Sequence, residues 1–232
     1  MKRENVIALV PYYLLVAILL ICIAAGGERL VSVHAENKEV LREHCIIIDA
    51  GHGGVDGGAT SCTGVLESQI NLEIALRLDD LMHLLGYRTV MIRRTDISVY
   101  TSGETIAAKK VSDLKERVRI VNETQNSILI SIHQNTFSDS RYGGAQVFYP
   151  NTNSSRELAD ALQASLVSNL NPGSNRHAKR GEGIYLLEHI DRPGVLIECG
   201  FLSNPEEETK LRNESYQKQL CCVIAAVISQ QI

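Results

Sequence analysis

Three short runs rich in β-branched residues each end on a polar side chain. Ile46, Ile47 and Ile48 lead to Asp49, the run ILISI leads to His133, and VLI leads to Glu198. Apolar runs this short read as strands buried on both faces. Segments with helical spacing lie between them. Residues 67–85 carry Ile70, Ile74, Leu78 and Leu81 on one side, with Gly86 as a stop signal. Residues 113–122 place Leu114, Val118 and Val121 together, and residues 154–169 and 206–232 complete the helical set. Further strands are expected at residues 88–92, 145–149 and 181–187. Strands alternating with helices predict an α/β fold: a single domain with a mostly parallel twisted sheet and helices on both faces.

The fold occupies residues 43–232. Before it, Lys2 and Arg3 precede an apolar run over residues 6–25. That pattern marks residues 1–26 as a signal peptide or transmembrane anchor. The run's length favours a retained anchor, with a cut after Ala25 or Gly26 as the alternative. Residues 27–42 read as a linker. The positive-inside rule places the domain outside the cytoplasmic membrane. Only five of the six cysteines lie beyond the apolar run, and two of those are adjacent, which argues against a disulfide framework. A net charge of -4 without a basic tract excludes nucleic acid as a partner.

In open α/β sheets the loops at the carboxyl ends of strands converge on one crevice. His52 in the loop GHGGVDGG, His133 and Glu198 stand at three such ends, and Glu67 opens the helix after the Gly-rich loop. Catalytic zinc uses three nitrogen or oxygen ligands and leaves one position for water. His52, Glu67 and His133 supply such a set, leaving Glu198 to accept and return a proton. Asp49 is placed to take the second ring N–H of a ligating histidine. Asp56, Asn135 and Arg180 are candidate substrate contacts.

Other readings stand beside these. The spacing matches no short zinc signature. The Gly-rich loop can instead cradle phosphate, although it lacks a GK[ST] ending and the G-x-G-x-x-G pattern. Glu67 can serve only as favourable charge at a helix start, and His133 as a core histidine. Glu198 is harder to set aside, because a lone carboxylate on an apolar strand costs several kcal/mol. Cys199 is expected on the opposite face of its strand from Glu198, and Cys62 is at most an inhibitory fourth ligand.

The segments IIIDAGHGGVDGGA, LESQINLEIALRL, DLKERVRIVN, SIHQN, GGAQVFY and PGVLIECGFLSNPEE occur in this order. Together they resemble the zinc-dependent N-acetylmuramoyl-L-alanine amidases of the Amidase_3 family. The resemblance implies one zinc ion on His52, Glu67 and His133, with Glu198 as general base. It implies hydrolysis of the amide joining N-acetylmuramic acid to L-alanine in peptidoglycan. GGAQVFYP, GEGIYLL and GFLSNPEEE are most similar to the germination-specific members from spore formers, which implies work on spore cortex toward muramic-δ-lactam. Some relatives carry a long blocking helix after the strand matching AQVFY. Here four residues, 150–153, separate that strand from the next helix, so control is expected from expression, metal loading or a protein activator. Two rival functions remain: a zinc peptidase cutting within the stem peptide, and a non-catalytic wall-binding protein.

Overall fold

The computed structural model describes residues 43–231. The expected anchor over residues 1–26 and the linker over 27–42 lie outside the described residues. Among the described residues, no helix is long and apolar enough to cross a membrane.

Strand β1 (Cys45–Ala50) is buried throughout. Its three isoleucines are fully buried, each contributing about 1.5–3 kcal/mol relative to an exposed side chain. It lies between β2 (Arg88–Met91) and β3 (Ser127–Asn135), parallel to both. β3 continues in parallel to β6 (Gly194–Phe201). β4 (Gln146–Tyr149) runs antiparallel to β6, and the two-residue β5 (Lys179–Arg180) runs parallel to β4. The sheet order is β2-β1-β3-β6-β4-β5, the mostly parallel α/β sheet expected from the alternation.

The helices are α1 (Glu67–Leu84), α2 (Ile106–Glu123), α3 (Asn153–Leu170), α4 (Tyr185–His189), α5 (Pro205–Leu211) and α6 (Glu214–Gln231). α6 packs on α1 and α3, while α4 packs on α2. Ile47, Leu129 and Leu196 pack with Val121 of α2 and Leu186 of α4. Because side chains alternate across a strand, Asp49, Ser131, His133 and Glu198 project toward this same α2/α4 face.

Helix α1 stops where expected. Gly86 takes φ +93°, and the N–H groups of Gly86 and Tyr87 donate back to His83 and Met82. Helix α2 begins seven residues earlier than its apolar spacing indicates. Thr105 caps it by accepting from the Ala108 N–H. Its buried positions include Ser112, Asp113 and Arg117, so a search for apolar periodicity underestimates its length.

The strand expected at residues 181–187 is absent. β5 ends at Arg180, the Ile184 N–H donates to the Gly181 carbonyl at 3.1 Å, and α4 follows. Gly183 holds φ +78° in that turn, a conformation incompatible with an extended strand. The connection from β4 to α3 covers only residues 150–152, too short for a blocking helix.

Candidate metal centre

The register of the sheet brings the strand-end residues together. His133 of β3 is level with Glu198 of β6. The β1 loop adds His52, and the first turn of α1 adds Glu67. His52, Glu67 and His133 each offer a ligand atom, all within 4.8 Å of one another. His52 Nε2 lies 3.2 Å from Glu67 Oε2, and His133 Nδ1 lies 3.0 Å from Glu67 Oε1. The two imidazoles meet edge to face with centroids 4.9 Å apart.

Glu67 is 3% exposed. The N–H groups of Ala59 and Gln134 and the Asn71 amide donate to its two oxygens. Burial raises its pKa, but hydrogen bonds from His133 and His52 and their charge outweigh this, holding Glu67 well below the usual carboxylate range. Burial opposes charge on His52, yet Glu67 and Asp56 overcome it and raise its pKa to about 9. Such a pocket favours a cation at this point, whether a proton or a metal.

The glycines of the loop have steric work here. A Cβ on Gly51 would lie 2.2 Å from His133 Nε2, and one on Gly58 would lie 2.6 Å from Glu67 Oε2. The free space beside these glycines is what admits the His133 and Glu67 side chains. Gly51→Ala is expected to swing the His133 ring off the cluster. Zinc affinity, measured by chelator competition, should fall by at least about tenfold; unchanged affinity would show that the ring can shift without cost.

Second partners orient the side chains of this cluster. A carboxylate only accepts, so His52 Nδ1 donates to Asp56 Oδ2, at 2.9 Å, and Nε2 is turned toward Glu67. Asp56 Oδ1 in turn takes Lys110 Nζ at 2.7 Å. Asp49 was the residue expected to accept from a ligating histidine, and the structure gives that place to Asp56. Asp49 projects to the α2 face, where Arg117 and Ser131 hold its carboxylate.

Two buried arginines, not anticipated from sequence, clamp the loop. Arg93 is 2% exposed and donates only to backbone carbonyls: Ala50 at 2.8 Å, Gly51 at 3.0 Å, Ser68 at 2.8 Å and Thr95 at 3.1 Å. It ties the His52 loop to the helix start that carries Glu67. Arg117 donates to the carbonyls of Ala50 at 3.1 Å and His52 at 2.7 Å. His52 itself sits at φ +60°, a conformation that costs a non-glycine residue about 1–3 kcal/mol and persists only where neighbours impose it.

Glu198 differs from Glu67 in having no partner for Oε2, a buried oxygen. Burial, reinforced by the charge of Glu67 and opposed by His133 and His52, raises its pKa to about 7. A carboxyl near that value can both accept and donate a proton at neutral pH. Cys199 is buried behind it, with a thiol pushed far up by burial. Cys62 is exposed and stands outside the cluster.

Of the other two expected substrate contacts, Asn135 ends β3 two residues beyond His133, and Arg180 sits elsewhere. Asn135 Oδ1 accepts from the neighbouring Thr136 N–H. Arg180 is level with Tyr149 on strands that run opposite to β6. It therefore faces the other end of the sheet, lining a separate cavity with Tyr149 and Glu182.

The N-acetylmuramoyl-L-alanine amidase family Amidase_3 matches residues 46–230. The chain is 38% identical over 181 residues to the germination-specific N-acetylmuramoyl-L-alanine amidase of Bacillus subtilis, covering 77% of this chain and 76% of that one. Its fold matches the CwlD amidase from Clostridioides difficile, solved in complex with the GerS lipoprotein, with TM-score 0.77 and 38% identity over 81% of this chain and 97% of that one. A second N-acetylmuramoyl-L-alanine amidase, from Clostridium difficile 630, gives TM-score 0.69 at 32% identity over 81% and 95% of the chains. With a family match over residues 46–230, the chain belongs to Amidase_3, the N-acetylmuramoyl-L-alanine amidases that act on peptidoglycan.

Proposed function

We propose that this amidase is a zinc enzyme in which His52, Glu67 and His133 hold one Zn2+ and Glu198 carries the proton. The observation that supports this most directly is the convergence of the three ligand atoms within 4.8 Å beside a carboxyl with an unpartnered buried oxygen. Two nitrogens and a carboxylate are a donor set that suits catalytic zinc. Bound zinc would polarise the scissile carbonyl and make water acidic enough to attack at neutral pH.

The protein's own groups do the rest. Asp56 fixes the His52 ring, and Asn71 and the Gln134 N–H fix Glu67. Glu198 Oε2 takes the proton of the attacking water. The same oxygen then delivers it to the departing alanine nitrogen, so the amine leaves neutral and Glu198 returns to its carboxylate. No step needs a second titratable group.

The setting proposed is spore cortex. There, removal of stem peptides from muramic acid would prepare the glycan for muramic-δ-lactam formation. The resemblance to a germination-specific amidase supports this. Export and membrane anchoring through residues 1–26 belong to the same proposal, supported by the charge and length of that apolar run. A protein activator is proposed too, since the similar CwlD amidase was solved with a lipoprotein.

The test combines metal analysis with muropeptide mapping. Wild-type protein should hold zinc and release whole stem peptides from muramic acid. His133→Ala should lose the metal at micromolar zinc and with it all hydrolysis, while chelation of the wild type gives the same loss, reversed by zinc. Trimmed stems in the mass spectrum would instead indicate a peptidase. Full activity of metal-free protein would overturn the zinc site.

A further inference from the structure

The segment after β5 forms one wall of a cavity that reaches the metal-site histidines. The Gly183 N–H donates to Glu188 Oε1 at 2.7 Å, and Tyr185 stacks on His189 with centroids 3.9 Å apart. Gly181 is packed so closely that an added Cβ would lie 2.4 Å from Leu187 Cδ1. These contacts hold Ile184 and Tyr185 in place. Opposite them, Lys110, Leu114 and Arg117 repeat along one side of α2 and face the same space.

Leu186 and Leu196 form the floor, and His52 and His133 close the far end. Leu196 precedes Glu198 by two residues and so shares its face of the sheet. One trench therefore runs from the two imidazoles along the α2/α4 face, with Leu114, Ile184, Leu186 and Leu196 as its apolar part. The charged groups that also line it are paired with one another, Asp49 and Asp113 with Arg117, and Asp56 with Lys110 and His52. Its volume is about 260 Å3, below the roughly 300–1,000 Å3 of ordinary ligand pockets.

An amide held at the metal has two arms of different chemistry. One is a glycan rich in hydroxyls, and the other is a peptide that starts with a methyl side chain. A narrow trench whose charged groups are already paired with one another offers sugar hydroxyls few free partners, and each hydroxyl left without one costs a few kcal/mol. The trench would desolvate a small side chain favourably. We infer that the trench between α2 and residues 183–186 receives the peptide arm, with the first side chain set against Leu114, Ile184 and Leu196. The glycan arm then lies outside it. This rests on placing the metal at His52, Glu67 and His133.

Filling the trench tests the inference. Leu114→Phe and Ile184→Trp should each lower kcat/KM on a muramoyl-tripeptide by about 10- to 100-fold, mainly through KM. Zinc content should stay at the wild-type level. Each substitution added to Glu198→Gln should weaken calorimetric binding of the uncleaved muramoyl-tripeptide by a similar factor. Leu114→Ala should improve hydrolysis of a synthetic substrate with valine in the first position. Unchanged kcat/KM and unchanged affinity in both filled variants would overturn the assignment. A zinc-loaded wild type that cleaves no muramoyl-L-alanine amide would overturn the metal placement, and this inference with it.

Discussion

Glu198→Gln is expected to bind zinc as the wild type does and to lose about 100- to 10,000-fold of its kcat on muropeptides. The amide keeps the shape of the side chain and removes its capacity to carry a proton. The wild-type carboxyl has a buried oxygen without a partner and a pKa raised to about 7. Both suit a group whose partner arrives with the reaction. Metal analysis and kinetics on the same preparation separate the outcomes. Hydrolysis at the wild-type rate would remove Glu198 from the proton path, and loss of zinc would make it a ligand.

The second large effect is on stability. Arg117→Leu should destabilise the domain by about 3–5 kcal/mol, a large share of the 5–15 kcal/mol that holds a typical domain together. Arg117 is almost fully buried, donates to Asp113 Oδ2 at 2.6 Å, and pairs with Asp49. Leucine would leave Asp49 as a buried charge with Ser131 as its remaining side-chain donor. It would also release the His52 carbonyl and with it the left-handed conformation of that residue. Urea unfolding measures the change; a loss below about 1 kcal/mol would mean that water replaces the guanidinium.

The same pair predicts acid sensitivity. Burial raises the pKa of Asp49, but Arg117, His133 and the Ser131 hydrogen bond lower it below the ordinary 3.8. A carboxyl depressed in the folded state stabilises above its unfolded pKa. That stabilisation is lost as the pH falls from 3.8 toward the folded value. Arg117→Leu protein should lack this part of the acid transition.

The sequence alone determined the layering of the domain and three of the strand ends that matter. Short apolar runs ending at Asp49, His133 and Glu198 admit few arrangements, because a strand buried on both faces must lie inside a sheet covered by helices. The family motifs added Glu67, which spacing left open. Tertiary structure decided which groups support the ligands. Asp56 rather than Asp49 takes the His52 ring, because alternation along β1 turns Asp49 toward α2 and into contact with Arg117.

Arg93 and Arg117 were invisible for a related reason. Their role is to satisfy the backbone carbonyls of a loop, and that demand arises only once the loop is folded and buried. The polar stripe of α2 carries no apolar periodicity to read, because this helix buries Ser112, Asp113 and Arg117. Likewise, Gly183 and Glu188 turn the segment after β5 away from the sheet. A chain's pattern of apolar and polar residues settles which elements form and which face is buried. Only the folded contacts settle which polar group meets which, since that choice depends on distances between residues remote in sequence.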